Sequence, residues 1–412
     1  MDMVKNVQDA VVIGGGPAGS FFAYELAKRG FDVSVFEEHK EVGFPSHCAG
    51  HLSIRSLRSL GLYPLPEGIV ENTFSAANFY SPNGNKFSVR LSQPVTCAVN
   101  RARFDQHVSQ LALAAGAEFR LGARVQSLNV EKGFVKGVNL TQNGGETEQV
   151  SAKLVVDAEG ISSRLLREPG LTALDGKKMV YAVEAEVENV AEVEEHAVEV
   201  YVGKDYAPGF YGWLIPRLNG SAKLGLATRK GNPKNFLENL MRKHPVASKQ
   251  LKNAKIQKMA YHAITLGGPI PRFCSDGFLA VGDCASQVKP TTGGGVVFSV
   301  TCAKIAAEVA TQALNKNDLS AQALQAYQKQ CEDKLGFDVR VMLKARKAID
   351  SFSDQKLDRA MRFASKVGFG KALRDVDEID FQGRTLLGMI RKPAAYATLA
   401  YLVALYLPEV RL

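Results

Sequence analysis

The chain has 412 residues, 46% of them hydrophobic and 23% charged, with a formal net charge of +9. That length buries a substantial core split over two or three subdomains, and the composition argues against a disordered chain. The positive excess admits nucleic acid or an anionic lipid surface as a partner. Six scattered cysteines (Cys48, Cys97, Cys274, Cys284, Cys302 and Cys331) show no C-x-x-C pair or finger-like spacing, so no metal or iron–sulfur centre is expected. The N-terminus reads as lacking a leader, which makes a reducing cytoplasm the expected compartment. No run reaches the roughly 18 apolar residues that span a bilayer. The nearest is AAYATLAYLVALYL, from Ala394 to Leu407.

In chain order, the apolar run Ala10–Ile13 leads into Gly14, Gly16 and Gly19, a helical pattern ending at Gly30, a second apolar run Val33–Phe36, and Glu37. A lone G-x-G-x-x-G is weak. Strand, glycines, helix, strand and acid in this order predict a dinucleotide site. Gly14 permits the turn, Gly16 admits a pyrophosphate, Gly19 packs helix on strand, and Glu37 accepts from ribose hydroxyls. KFSVRL alternates as a strand does, and Arg101–Gly116 is helical. In KLVVDAEGISSRL a strand ends at Asp157, followed by Gly160. In GFLAVGDCASQVKPTTGGGVVF a strand ends at Gly282-Asp283, and a loop through Pro290 reaches Gly293–Gly295 at a helix start. A strand-end acid can bond a ribityl hydroxyl. A glycine-rich helix start can hold a flavin's pyrimidine edge.

With Arg101 and Asp105 of NRARFD, these stretches resemble the FAD-binding proteins that include p-hydroxybenzoate hydroxylase. The resemblance implies FAD, bound by Gly14, Gly16, Ala18, Gly19, Glu37, Arg101, Asp157, Gly160, Asp283, Pro290, Gly294, Gly295 and Val296. It places the Val125 backbone at the adenine. It also brings Cys48, Ala49 and Gly50 of VGFPSHCAG beside the isoalloxazine ring. A second G-x-G-x-x-G is absent from the sequence, which leaves the donor open between a ferredoxin and a reduced nicotinamide.

PGFYGWLIP, Pro208 to Pro216, fits P-x-x-Y-x-W-x-F-P with Ile215 in place of Phe. Together with the P-x-x-C-x-G loop it resembles the geranylgeranyl reductase family, archaeal digeranylgeranylglycerophospholipid reductases included. That resemblance implies an isoprenoid cavity lined by Pro208, Tyr211, Trp213, Ile215 and Pro216. Alternation puts Tyr211, Trp213 and Ile215 on one strand face, which is either a cavity wall or core. An isolated alkene is a poor electrophile, so reduction needs a proton donor. Cys48, His47 and Tyr211 are the candidates, against an inert Cys48 that packs on the flavin or pairs with Cys302 in a disulfide.

Val180–Ala263 is strand-rich, and the chain from Asp318 is helical. The basic run Val339–Asp375 holds Lys344, Arg346, Lys347, Lys356, Arg359, Arg362, Lys366 and Lys371. It is either a solvated face or, with Ala394–Leu407, a membrane-docking surface. No nucleic-acid motif accompanies the charge. The expectation is an α/β fold (α+β overall). Its Rossmann-type FAD-binding domain comprises 1–70, 101–175 and 270–315, its antiparallel substrate sheet 71–100 and 176–269, and its helical region 316–412. The expected function is FAD-dependent saturation of geranylgeranyl double bonds in ether-lipid precursors, peripheral at the inner face of the cell membrane. The alternatives are a flavin monooxygenase, a flavoprotein passing electrons to quinone, and a non-catalytic isoprenoid binder.

Overall fold

The apolar and alternating runs become three sheets and the helices that cover them. The computed structural model describes residues 7–410, with side chains as far as Tyr406. Residues 1–6, part of the N-terminus read as lacking a leader, and the Leu407 side chain lie outside the described residues. Contacts gather the chain into two units. The first holds the residues up to Ser46 with Arg101–Lys178 and Thr265–Phe337; the second holds His47–Asn100, Met179–Ile264 and the residues from Asp338.

Several stretches therefore group differently from the expected boundaries, residues 176–178 and 265–269 falling in the first unit and those from Asp338 in the second. Residues 47–70 join the sheet unit because His51–Ser53 pairs with Thr96–Val99. Residues 316–337 join the nucleotide unit because the Tyr327 hydroxyl donates to the Ala280 carbonyl and accepts from Gln287.

In the first unit five strands run parallel in the order Phe278–Ala280, Thr147–Asp157, Gln8–Ile13, Val33–Glu37 and Glu118–Leu121. Strands buried on both faces read as continuous apolar runs, and Ala10–Val12, Leu154–Val156 and Phe278–Ala280 are all fully buried. Pro17 starts the helix Pro17–Ala27, where a missing N–H costs nothing. That helix packs against Val296–Asn315. Val296–Asn315 is long and apolar enough to cross a bilayer by length and composition, yet most of it is buried among the first unit's own residues. It is a core helix.

In the second unit a seven-stranded sheet runs Lys255–Thr265, Met179–Glu188, Ala222–Thr228, Gly212–Pro216, Ala197–Tyr201, Ala76–Tyr80, Lys86–Arg90. One face, with Val183, Leu214, Leu224 and Leu226, is covered by Leu237 and Leu240 of helix Pro233–Lys243. The other face carries Trp213, Ile215, Val198 and Val200, packed against Phe74 and Ala98 of the small sheet. The C-terminal helices are pinned to the turn between the strands Ala76–Tyr80 and Lys86–Arg90 through Asp358, which accepts from Ser81, Asn83 and Asn85.

His244 lies fully buried among Tyr80, Tyr201 and Tyr206. Its Nδ1 accepts from the Val246 and Ala247 N–H groups, so Nε2 carries the proton and donates to the Ser81 carbonyl at 3.1 Å. Burial pushes its pKa down from 6.5 to about 4. Between those values the unfolded chain binds a proton that the folded chain does not, so stability falls as pH drops through that window. The full effect is on the order of 3 kcal/mol. Thermal unfolding of His244→Gln beside the parent, from pH 7 to 4, should show the variant losing this part of the slope.

Candidate functional site

Gly14 sits at φ +97°, and a Cβ there would stand 2.5 Å from the Ala158 carbonyl oxygen. A Cβ on Gly19 would come within 2.0 Å of the Gly14 carbonyl oxygen. Both glycines are therefore demanded by the protein itself. Gly16 is different: its φ of −67° and ψ of −178° suit any residue, and a Cβ there would meet nothing within 4 Å. The open space over Gly16, at the start of a helix whose first N–H groups point outward, is a cradle that a side chain would fill. Ala18 is buried, its methyl 3.1 Å from where a Cβ on Gly282 would lie.

Glu37 ends the second strand, and its carboxylate accepts from Gly15 N at 2.7 Å and His39 N at 2.9 Å. Arg101 holds Asp105 through two bonds of 3.1 and 3.0 Å. Asp157 is fully buried. One of its oxygens accepts from Glu159 N at 3.0 Å, while Oδ2 has no protein partner. Burial and the Glu159 charge push its pKa well up. Asp283 is pushed up by burial and drawn back by Arg101 and by the Ser299 hydroxyl. Gly160, at φ +71°, faces open space. Gly295 leaves room for Asp283, whose Oδ1 would be 2.7 Å from an added Cβ, and Gly294 leaves room for the Lys289 stem at 2.6 Å. Pro290 is buried just ahead of these glycines, and Val296 opens the helix. Val125 is buried, its carbonyl taking a 3.3 Å hydrogen bond from Arg164. Hydroxyl acceptors, a helix start and open backbone together fit a flavin dinucleotide. Bound there, FAD would meet the glycine turn through its phosphates and the two aspartates through its hydroxyls.

The second unit brings the loop and the aromatic strand together. Ala49, Val200 and Trp213 each pack against the buried cluster of Phe74, Ala98, Val198 and Ile215. Ile215 is itself 2% exposed and part of that core, whereas Trp213 is half-buried, with its indole Nε1 enclosed and without a protein partner. Gly225 lies opposite Trp213, and a Cβ there would stand 2.5 Å from the indole ring. Tyr211 precedes the strand, stacks on Phe210 at 4.3 Å and meets Trp213 edge-on at 5.9 Å. Burial pushes its phenol pKa up, so it holds its proton at neutral pH. The two prolines act through their carbonyls: Pro208 accepts from Arg229 N at 2.8 Å and Pro216 from Asn72 at 3.0 Å.

His47 stacks on His262 with ring centroids 4.3 Å apart. Cys48 is half-exposed and all six cysteines are free thiols, so the disulfide alternative with Cys302 is not formed. Cys302 instead lies beside Cys331 inside the first unit, both buried. Cys97 is buried, and its thiol is pushed up to about 12. Among the described residues no group of histidine, cysteine and carboxylate side chains could hold a metal ion.

Sequence reading missed His262 and Lys223. Lys223 is 4% exposed and lies opposite Ile215. Its one signal was a lone lysine in the strand AKLGLAT.

The chain is an FAD-binding flavoenzyme: a family model described as an FAD binding domain matches residues 7–334. It is 35% identical to digeranylgeranylglycerophospholipid reductase 2 of Methanopyrus kandleri, over 85% of this chain and 88% of that protein. Against the enzyme of that name from Methanocaldococcus jannaschii the identity is 31%, over 94% and 96%. A geranylgeranyl bacteriochlorophyll reductase-like protein from Thermoplasma acidophilum superposes with a TM-score of 0.85 at 26% identity, covering 96% of this chain and 99% of that one. The chain belongs to the digeranylgeranylglycerophospholipid reductase family.

Because the protein does not itself need glycine at position 16, Gly16→Ala separates folding from cofactor binding. Its apoprotein should melt as the parent does, while FAD affinity, followed by flavin fluorescence, falls by about tenfold or more, roughly 1.4 kcal/mol.

Proposed function

We propose that this chain saturates isolated double bonds of geranylgeranyl chains in ether-lipid precursors of the digeranylgeranylglycerophospholipid type. The observation that carries the reading is that Ala49, next to Cys48, and Trp213 both pack against one buried cluster of Phe74, Ala98, Val198 and Ile215. A thiol-bearing loop and a stiff aromatic strand share one surface. Ring and proline-bounded side chains lose little freedom on binding an apolar chain, and the names of the relatives supply the isoprenoid lipid.

Bound FAD would supply a hydride equivalent to one alkene carbon. The residues of the chain must then supply the proton for the other carbon and keep water out. Cys48 is the half-exposed thiol of the loop, His47 stands beside it with His262 stacked on its ring, and Tyr211 keeps its phenolic proton. We assign Cys48 the donor role, with the two histidines as the path that replenishes its proton. A ferredoxin and a reduced nicotinamide are the two donor classes the reading allows.

Lipid supply adds a membrane. Leu387, Ile390, Tyr396 and Val403 are exposed on the C-terminal helices, beside exposed Arg391. The helix Pro393–Val410 turns its other side inward, where Tyr401 stacks on Phe363 at 4.1 Å. An apolar stripe with basic neighbours suits the surface of an anionic bilayer, and we place the protein there, at the cytoplasmic face. Of the basic run, Arg346 is buried against Asp350 and Lys356 donates to the Leu405 carbonyl, so those two cations serve the fold.

Anaerobic, chemically reduced protein given digeranylgeranylglyceryl phospholipid in detergent should add one hydrogen pair per double bond by mass, with flavin reoxidising in step. Unchanged lipid beside stably reduced flavin would sink the assignment. Cys48→Ser should keep FAD and lower the single-turnover rate by about 100-fold, within the range for a lost proton donor. Feeding electrons from either donor class then decides between them. Binding to vesicles rich in anionic lipid should weaken with salt and in Tyr396→Asp; equal binding to neutral vesicles would contradict the basic contribution.

A further inference from the structure

Lys223 places an ammonium inside a strand whose other six residues are all buried and carry no charge. Removing an ammonium from water costs several kcal/mol unless each N–H finds an acceptor. Here two carbonyls accept from it and one carboxylate lies within ion-pair distance. Lys223 Nζ donates to the Ala49 carbonyl at 3.1 Å and to the Val99 carbonyl at 2.7 Å, and stands 2.7 Å from Glu71 Oε2. Arg217 reaches the other oxygen of Glu71 at 3.4 Å and Glu186 at 3.0 Å, which balances the charge around the lysine. Burial works against the ionised form of Glu186, but Arg217 holds its carboxyl below the usual range.

A buried ion pair is weak evidence for stability, since apolar replacements are often neutral or better. Its location is more informative. Ala49 follows Cys48 directly, and the next tie is the Gly50 carbonyl, which accepts from Val99 N at 2.9 Å. Two residues along the lysine's strand, Gly225 seats the Trp213 indole. One strand therefore holds both the loop and the aromatic ring.

We infer that Lys223 is a positioning residue for the Cys48 segment: through the Ala49 carbonyl it sets where the thiol stands relative to the aromatic wall, with Glu71 as its counter-charge. The inference rests on the proposed function, because it assumes that the thiol acts in the reaction.

The test uses the FAD-loaded enzyme and a water-soluble maleimide. Cys48 is half-exposed and the other five cysteines are buried, so the fast-labelling thiol is Cys48, with Cys48→Ser as the check. In Lys223→Met, loss of charge-assisted hydrogen bonds should raise the labelling rate by about tenfold and lower single-turnover lipid reduction by at least about tenfold. Lys223→Arg, which keeps the charge and donors, should recover part of both. Labelling and turnover at the parent's rates in a folded Lys223→Met overturn the inference. So does a lowered melting temperature with labelling unchanged, since the lysine would then serve stability alone, and so does faster labelling with turnover unchanged. If Lys223→Met does not fold, Glu71→Gln takes its place, expected to shift both rates in the same direction; unchanged labelling there overturns the inference. Labelling needs no lipid. If the parent protein reduces none, the functional reading fails, and the labelling ratio alone decides whether Lys223 holds the segment.

Discussion

A methyl group on Gly19 would collide with the carbonyl oxygen of Gly14 and crowd the side chains of Val12 and Ala158. Everything in the nucleotide unit depends on that closeness. It lets the first helix lie directly on the first strand, and it holds the turn at Gly14 against Ala158, just beyond the strand that ends in Asp157. The helix start then faces outward over Gly16, where the protein leaves space. The same tightness recurs at the glycines before Val296, which make room for Asp283 and Lys289. What this unit offers a cofactor is largely backbone geometry, with two buried aspartates beside it.

The sheet unit works by a different constraint. Its helix-covered face is ordinary core, made of leucine, valine and tyrosine. Its other face is apolar yet holds a polar loop in place. Lys223 allows both, because its charge is spent on two carbonyls and one carboxylate. The Trp213 ring lies down on the same face because Gly225 has no side chain to lift it away. A ring and a loop anchored on one cluster leave little conformational freedom in this surface.

The thiols divide the same way. Five are buried, and burial keeps Cys97 protonated and inert. Cys48 alone stands half-exposed, on the loop that Lys223 holds. The basic residues divide too: in the C-terminal run Arg346 and Lys356 are consumed by internal contacts, while Lys344, Lys347, Arg359, Arg362, Lys366 and Lys371 face solvent.

The parallel strands, the glycine turn and the acids at strand ends were legible in the sequence. They depend on local spacing, and no other residues produce a tight turn beside a helix start. The aromatic segment was equally plain, because alternation along a strand assigns its faces. Whether that face is wall or core was not: the structure makes Ile215 core and leaves Trp213 half-buried, a difference created by neighbours distant in sequence, Phe74, Ala98 and Val198. Lys223 and His262 were invisible for the same reason. Their partners are 174 residues away at Ala49 and, for His262, at the far end of the second unit's sequence, His47. Sequence by itself determined the cofactor and the faces, which are set by short-range sterics and period. Only the tertiary structure decided which charge holds which loop, because a buried lysine acquires its meaning from the acceptors that folding brings to it.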